Sequence, residues 1–170
     1  MDVEVKLPFE IMKLNGRLFE NCFAGVDDEI SQKRPNERTN SMAFIACHLV
    51  DARCFMARLL GIEVTYSFKE KLDKIESVEE FHEPPGVSEI LEAWSQINEV
   101  LDEEIARGSK MDLKKKPPVD FPIDDDTTLG GILFLLEHES FHIGQLAFLR
   151  KFFFLDSMEY SDKKNSGKGD

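Results

Sequence analysis

The longest apolar stretch of the chain, Leu129 to Leu155, constrains the fold more than any other segment. It carries Glu137, His138, Glu139, His142, Gln145 and Arg150. A membrane span does not tolerate that many ionisable and polar groups, so the stretch reads as a helix buried inside a protein. His138 and His142 stand four residues apart. On a helix they share one face, with Cβ atoms ~5–6 Å apart, the spacing at which two imidazoles grip one metal ion. Taken alone, such a pair also fits two core histidines bonded to neighbours. The metal reading needs a third ligand from elsewhere in the chain.

Three other segments read as helices. Between Leu7 and Phe23, apolar residues recur at Leu7, Ile11, Leu14, Leu18 and Cys22, the spacing of an amphipathic helix. Pro8 falls in its expected first turn, and Gly25 with Asp27 and Asp28 marks its end. Residues 28–39 read as a polar connector. A second helix starts at Thr39-Asn40-Ser41, a run of good N-cap residues, and stops at Gly61. It is apolar nearly all round, which predicts burial, and it holds one histidine, His48. The third is the clearest by pattern: Ile90, Trp94, Ile97, Leu101 and Ile105, with Ser88 as expected N-cap and Gly108 as stop. Its other face is a solvated run of acids. The fourth is the apolar segment itself, opened by Asp124-Asp125-Asp126 and capped by Thr127.

The connectors matter as much as the helices. Residues 61–87 are too many for a tight turn, but enough to run back along a helix of ~30 Å. The second and third helices can then be parallel, with Phe68, Leu72, Ile75 and Phe81 pinning the crossover. Lys114-Lys115-Lys116 lies in a solvated linker. No strand-like alternation and no glycine-rich phosphate loop appears. The pattern predicts an all-α chain, a four-helix bundle with a long crossover between helices two and three. Residues 1–160 form the expected domain, and 161–170 a disordered polar tail.

Charge and cysteine content narrow the function. The net charge of −12 opposes nucleic acid and anionic membrane surfaces as partners. Cys22, Cys47 and Cys54 have no paired spacing and sit in apolar helices, so they read as buried thiols in a reducing cytoplasm. No basic leader precedes the first helix.

His48, His138 and His142 all fall on inward-facing positions of buried helices, where bundles build metal sites. Three neutral imidazoles with an open position is a catalytic arrangement for zinc, and it suits nickel, cobalt or iron(II) as well. His138-Glu139-Ser140-Phe141-His142 also spells H-E-x-x-H, the zinc-peptidase motif, with Glu139 as general base. The extended form of that motif fails at Gln145, and only Glu159 follows at a ligand's distance. Gln145, one turn after His142, is a candidate for orienting a ligand or substrate, or for a helix–helix hydrogen bond. Asp51 is expected to bond an imidazole or to pair with Arg53 or Arg58 on the surface, Gly144 to allow close helix packing, and His82 to lie on the surface.

One helix with a single histidine, followed by a last helix reading H-x-x-x-H-x-G-Q, resembles the DinB/YfiT-like family of small four-helix proteins. The matching residues are His48, His138, His142, Gly144 and Gln145, together with the run Asn40 to Leu49. The resemblance covers the chain from its first helix to about Leu155. It implies an up-down-down-up bundle, a three-histidine site for a divalent metal (nickel or zinc, with iron an alternative), and a homodimer. It further implies a metal-dependent transferase or hydrolase acting with a low-molecular-weight thiol. Against that stands a non-catalytic bundle that binds metal or ligand.

Overall fold

A computed structural model describes residues 3–75, 80–107 and 112–161, with only the backbone of residues 3–5. Among these residues there are helices and no strand, as the sequence pattern predicts. Four are long: α1 (Val3–Cys22), α3 (Met42–Leu59), α5 (Val87–Ala106) and α6 (Thr128–Phe152). Two are short, α2 (Asp28–Gln32) and α4 (Lys69–Leu72), and both lie in the connectors.

Each long helix packs on two others, in the order α1, α6, α3, α5 and back to α1. Paired contacts give their directions. Asn15 bonds Leu136 and Ser140 while Arg150 bonds Cys22, so α1 and α6 ascend together. Glu89 acts on the thiol of Cys47, and Arg53 bonds Asn98, so α3 and α5 likewise run parallel to each other. The long crossover returns the chain between those two. Phe68 is buried in it, and Leu72 and Phe81 pack on the core, with Phe81 edge-on to Phe44 at 5.4 Å. At the centre, Trp94 stacks on Phe19 at 4.1 Å and donates its indole N–H to the Gly16 carbonyl at 3.1 Å. Phe19, Trp94, Ile97, Leu101 and Leu146 are fully buried around them.

The caps follow expectation at α3 and α6. Ser41 accepts from the Phe44 amide at 3.2 Å and Thr127 from the Gly130 amide at 3.1 Å. Elsewhere the structure corrects the sequence reading. α1 begins at Val3, so Pro8 sits in its second turn, where it removes one helical hydrogen bond. Phe9 beside it and Met12 one turn on are buried, which anchors this part of the helix to the core. Asp27 and Asp28 open a helix instead of closing one: Asp27 caps α2 through the Ile30 amide at 2.8 Å. Asp28 reaches α5, whose N-cap is Gly86 and not Ser88, and accepts from the Val87 amide at 2.7 Å. A glycine has no side chain to cap with, so a carboxylate from another element supplies the missing acceptor. The expected stop at Gly108 lies outside the described residues, as does the tail from residue 162.

α6 ends at Phe152, three residues before the expected Leu155, and Phe154 adopts φ 62° just beyond it. Arg150 is buried there. It donates to the carbonyls of Cys22 and Ala24, both at 2.7 Å, placing a cation on the C-terminus of α1. At the other end, the 112–127 segment crosses the start of α6 so closely that a Cβ on Gly131 would come within 2.3 Å of the Phe121 ring. That approach holds Phe121 against Phe134, at 5.6 Å, one turn before His138. No helix among the described residues is long and apolar enough to cross a membrane.

Candidate metal centre

The antiparallel contact of α3 with α6 places His48 opposite His138 and His142. Each histidine offers a ring nitrogen, and the three nitrogens lie within 4.8 Å of one another. Ring centroids are 5.0, 4.9 and 4.5 Å apart, with interplanar angles of 74–80°, so the rings converge edge to face and do not stack. No cysteine, aspartate or glutamate among the described residues joins the group. Glu159, the one acid downstream of the motif, is elsewhere, its backbone carbonyl accepting from Asn21 at 2.8 Å.

Burial is where the sequence reading is corrected. His48 was expected in the most buried part of the chain, but its residue is exposed, and His138 and His142 are half-buried. α3 is apolar nearly all round, yet its His48 edge looks out between α6 and the crossover. The cluster therefore has an open side. The inner sides of the rings are still crowded. Burial lowers the His48 pKa to about 4, helped by the neighbouring His142 and His138, with Asp51 pulling the other way. His138 is lowered too, first by burial and then by His142. Near neutral pH these two rings carry no charge and keep lone pairs for a ligand.

The donor set fits a divalent metal. The Nε2 atoms of His48 and His138 are 2.8 Å apart. Two nitrogens on a tetrahedral ion with bonds of ~2.0–2.1 Å sit ~3.3 Å apart, so a small torsional change in either ring makes room. His142 is already oriented. Its Nδ1 lies 2.7 Å from the Gln145 Oε1, which accepts the ring proton and leaves the Nε2 lone pair free. Gln145 thus acts within its own helix, and not across to another.

Glu139 does the opposite of what the H-E-x-x-H motif requires. One residue past His138 it turns ~100° around α6 and is fully buried. Its carboxylate takes both prongs of the Arg53 guanidinium, at 2.5 and 2.7 Å. Asn15 approaches the same carboxylate at 3.3 Å. Arg53, 1 % exposed, also donates to Asn98 at 2.7 Å and lies over the Trp94 ring at 4.5 Å. Glu139 faces the core, on another side of α6 from the imidazoles, so it is no general base for a metal-bound water.

Sequence reasoning missed this network and expected Asp51 to bond an imidazole or to pair with Arg53 or Arg58 at the surface. Asp51 instead accepts from the Tyr66 hydroxyl at 2.9 Å, with Lys69 at 3.6 Å. A signal was present: Arg53 on α3 and Glu139 on α6 are opposite charges on turns of two mostly apolar helices, away from the histidine face of each. Buried charges occur in pairs.

Among the remaining residues Gly144 departs from the close helix packing expected of it, whereas His82 and the cysteines lie where expected. Gly144 has open space where a Cβ would be, so it lies on an exposed face and not at a helix contact. His82 is exposed in the crossover. All three cysteines are buried and free. Burial pushes the Cys22 thiol up to about 12 despite Arg150, and raises Cys47 and Cys54 as well.

Two recesses flank the cluster. A smaller one of about 190 Å³ is bordered by His48, Phe44, Asp51 and the crossover. A larger one of about 580 Å³ lies between the start of α3 and the Phe141–Leu149 stretch of α6 and reaches Gln145. A sequence profile of the DinB superfamily matches residues 12–146, a span that includes all three histidines. No curated protein matches the chain.

Proposed function

The chain belongs to the DinB superfamily, and on that footing we propose that it is a metal-dependent enzyme whose divalent ion is held by His48, His138 and His142. The carrying observation is the open side of the cluster. Three imidazole nitrogens converge, no fourth protein donor among the described residues joins them, and His48 is exposed. Structural sites are closed by a fourth protein ligand, whereas catalytic sites keep a position for water or substrate. A bound divalent ion would supply Lewis acidity there, lowering the pKa of a water or thiol. Imidazole donors suit nickel, zinc or iron(II).

The reaction we favour is transfer of a group to or from a low-molecular-weight thiol. The chain's own thiols do not compete for that role, because burial keeps them protonated. His48 and His138 stay neutral and leave the ion accessible, Gln145 holds the His142 tautomer, and the recesses on either side give room for two reactants. We read the four long helices as an up-down-down-up bundle. The order of packing and the shared directions of α1 with α6 and α3 with α5 support that reading.

The test is metal content by elemental analysis of untagged protein, beside His48→Ala and His138→Ala. Near one equivalent of a divalent metal in the wild type, lost in both variants, is expected. Metal retained at wild-type stoichiometry without His48 overturns the triad. A loaded protein that leaves electrophilic substrates untouched with a panel of small thiols overturns the transferase and leaves a metal-binding bundle.

A further inference from the structure

The larger recess has a construction of its own. On α6, Phe141, Gly144 and Phe148 fall on one stripe at spacings of three and four residues, and all three are exposed. Phe141 and Phe148 are 58 % and 63 % exposed, far more than ordinary for aromatic side chains. Their Cα atoms are about 10 Å apart along the helix. Gly144 stands between them with nothing within 4 Å of the position its Cβ would take. The result is a notch with two aromatic ends, closed on the far side by Ile45 and by the loop before α3.

That loop contributes Arg38. Its backbone N–H is tied to the Asn36 side chain at 2.8 Å, but its guanidinium has no partner among the described residues. An unpaired arginine is unusual in a chain with 33 acidic and 21 basic residues. Gln145 borders the notch as well. Its Oε1 is committed to His142, and its amide hydrogens have no partner among the described residues. At about 580 Å³ the recess is in the range of small-molecule sites.

We infer that this recess binds a small organic carboxylate with a flat apolar body, the body over Gly144 between Phe141 and Phe148 and the carboxylate on Arg38. The inference rests on the metal reading only for its consequence, that such a ligand contacts Gln145 and so lies beside His142. The geometry favours a small molecule over a second copy of the chain, because the surface is a concave notch with a free cation at its rim. Planar guanidinium and carboxylate groups match in a bidentate pair.

The probe is 1-naphthoate, with 1-naphthylmethanol as its uncharged counterpart, followed by amide chemical shifts of the whole protein. Saturable shifts centred on the Gly144 and Gln145 amides are expected for naphthoate, with affinity about tenfold weaker for the alcohol. Arg38→Gln should erase the preference for the acid and leave alcohol binding unchanged. Gly144→Leu, a helix-favouring residue entering open space, should keep the fold and abolish binding of both. Naphthoate binding that is indifferent to Arg38→Gln and Gly144→Leu, or shifts centred elsewhere, overturns the proposal. So does a dimer dissociated by Phe148→Asp, since a second copy would then occupy the notch. Naphthoate binding that persists in His48→Ala supports the pocket even where that variant, or the wild type, holds no metal, so the two readings fail separately.

Discussion

Removing the Glu139 carboxylate is the most informative single change. In Glu139→Ala the Arg53 guanidinium, 1 % exposed, keeps Asn98 and the Trp94 ring but loses both of its charge-assisted bonds to the carboxylate. Breaking one side of a buried pair leaves an uncompensated charge and costs about 3–5 kcal/mol. For a chain of 170 residues that corresponds to a fall in Tm of roughly 6–20 °C. Glu139→Gln keeps an acceptor and the shape, and should fall between Glu139→Ala and the wild type. The paired variant Arg53→Met with Glu139→Leu removes both charges and should recover most of the loss. Urea unfolding of the metal-free proteins measures all of these on one scale. The H-E-x-x-H alternative makes the opposite forecast for Glu139→Gln: unchanged stability, retained metal and abolished turnover. A cost below about 1 kcal/mol for Glu139→Ala would refute the buried-pair argument.

Two further outcomes follow from the geometry. The His48 pKa lies below that of an unfolded histidine, so between about 4 and 6.5 the unfolded chain binds the extra proton. Stability of the metal-free protein is therefore full above about pH 6.5 and declines as pH falls through that window, and His48→Gln should flatten the decline. A stability profile that is level from pH 7 to pH 5 in the wild type would contradict it. Asp28→Ala removes the acceptor that caps α5 through the Val87 amide. A loss of about 1 kcal/mol is expected from thermal unfolding, with metal content unchanged because the cap lies on α5, which carries no ligand.

Helix existence was legible because each long element buries an apolar face at helical period, and the caps at Ser41 and Thr127 were legible because the capping side chain sits in the local sequence. What local sequence cannot carry is a partner supplied from another element. Gly86 looks like no N-cap until Asp28 is brought to it, and Pro8 looks like a first-turn residue until burial of Phe9 and Met12 extends the helix before it. The histidines were legible as a set, but not their exposure. The hydrophobicity of α3 says that most of the helix is covered, while the direction in which one residue looks depends on how α6 and the crossover close around it.

Glu139 shows how a motif misleads when only spacing is read. The four-residue spacing of His138 and His142 puts both on one face, and the same helical geometry puts the residue after His138 about 100° away. In a metallopeptidase that residue must still reach the metal-bound water. Here it meets Arg53 from α3, five residues past His48. The pair thus joins the two ligand-bearing helices on the core side, at the level of the imidazoles on α6 and about a turn past His48 on α3. A slide of α6 by one turn along α3, a shift of ~5.4 Å, would carry His138 away from His48 and would also leave Arg53 and Glu139 buried apart. The buried pair therefore penalises the registers in which the three histidines do not meet. That couples the charge in the core to the donors at the rim, without Glu139 touching either the ligands or what they bind.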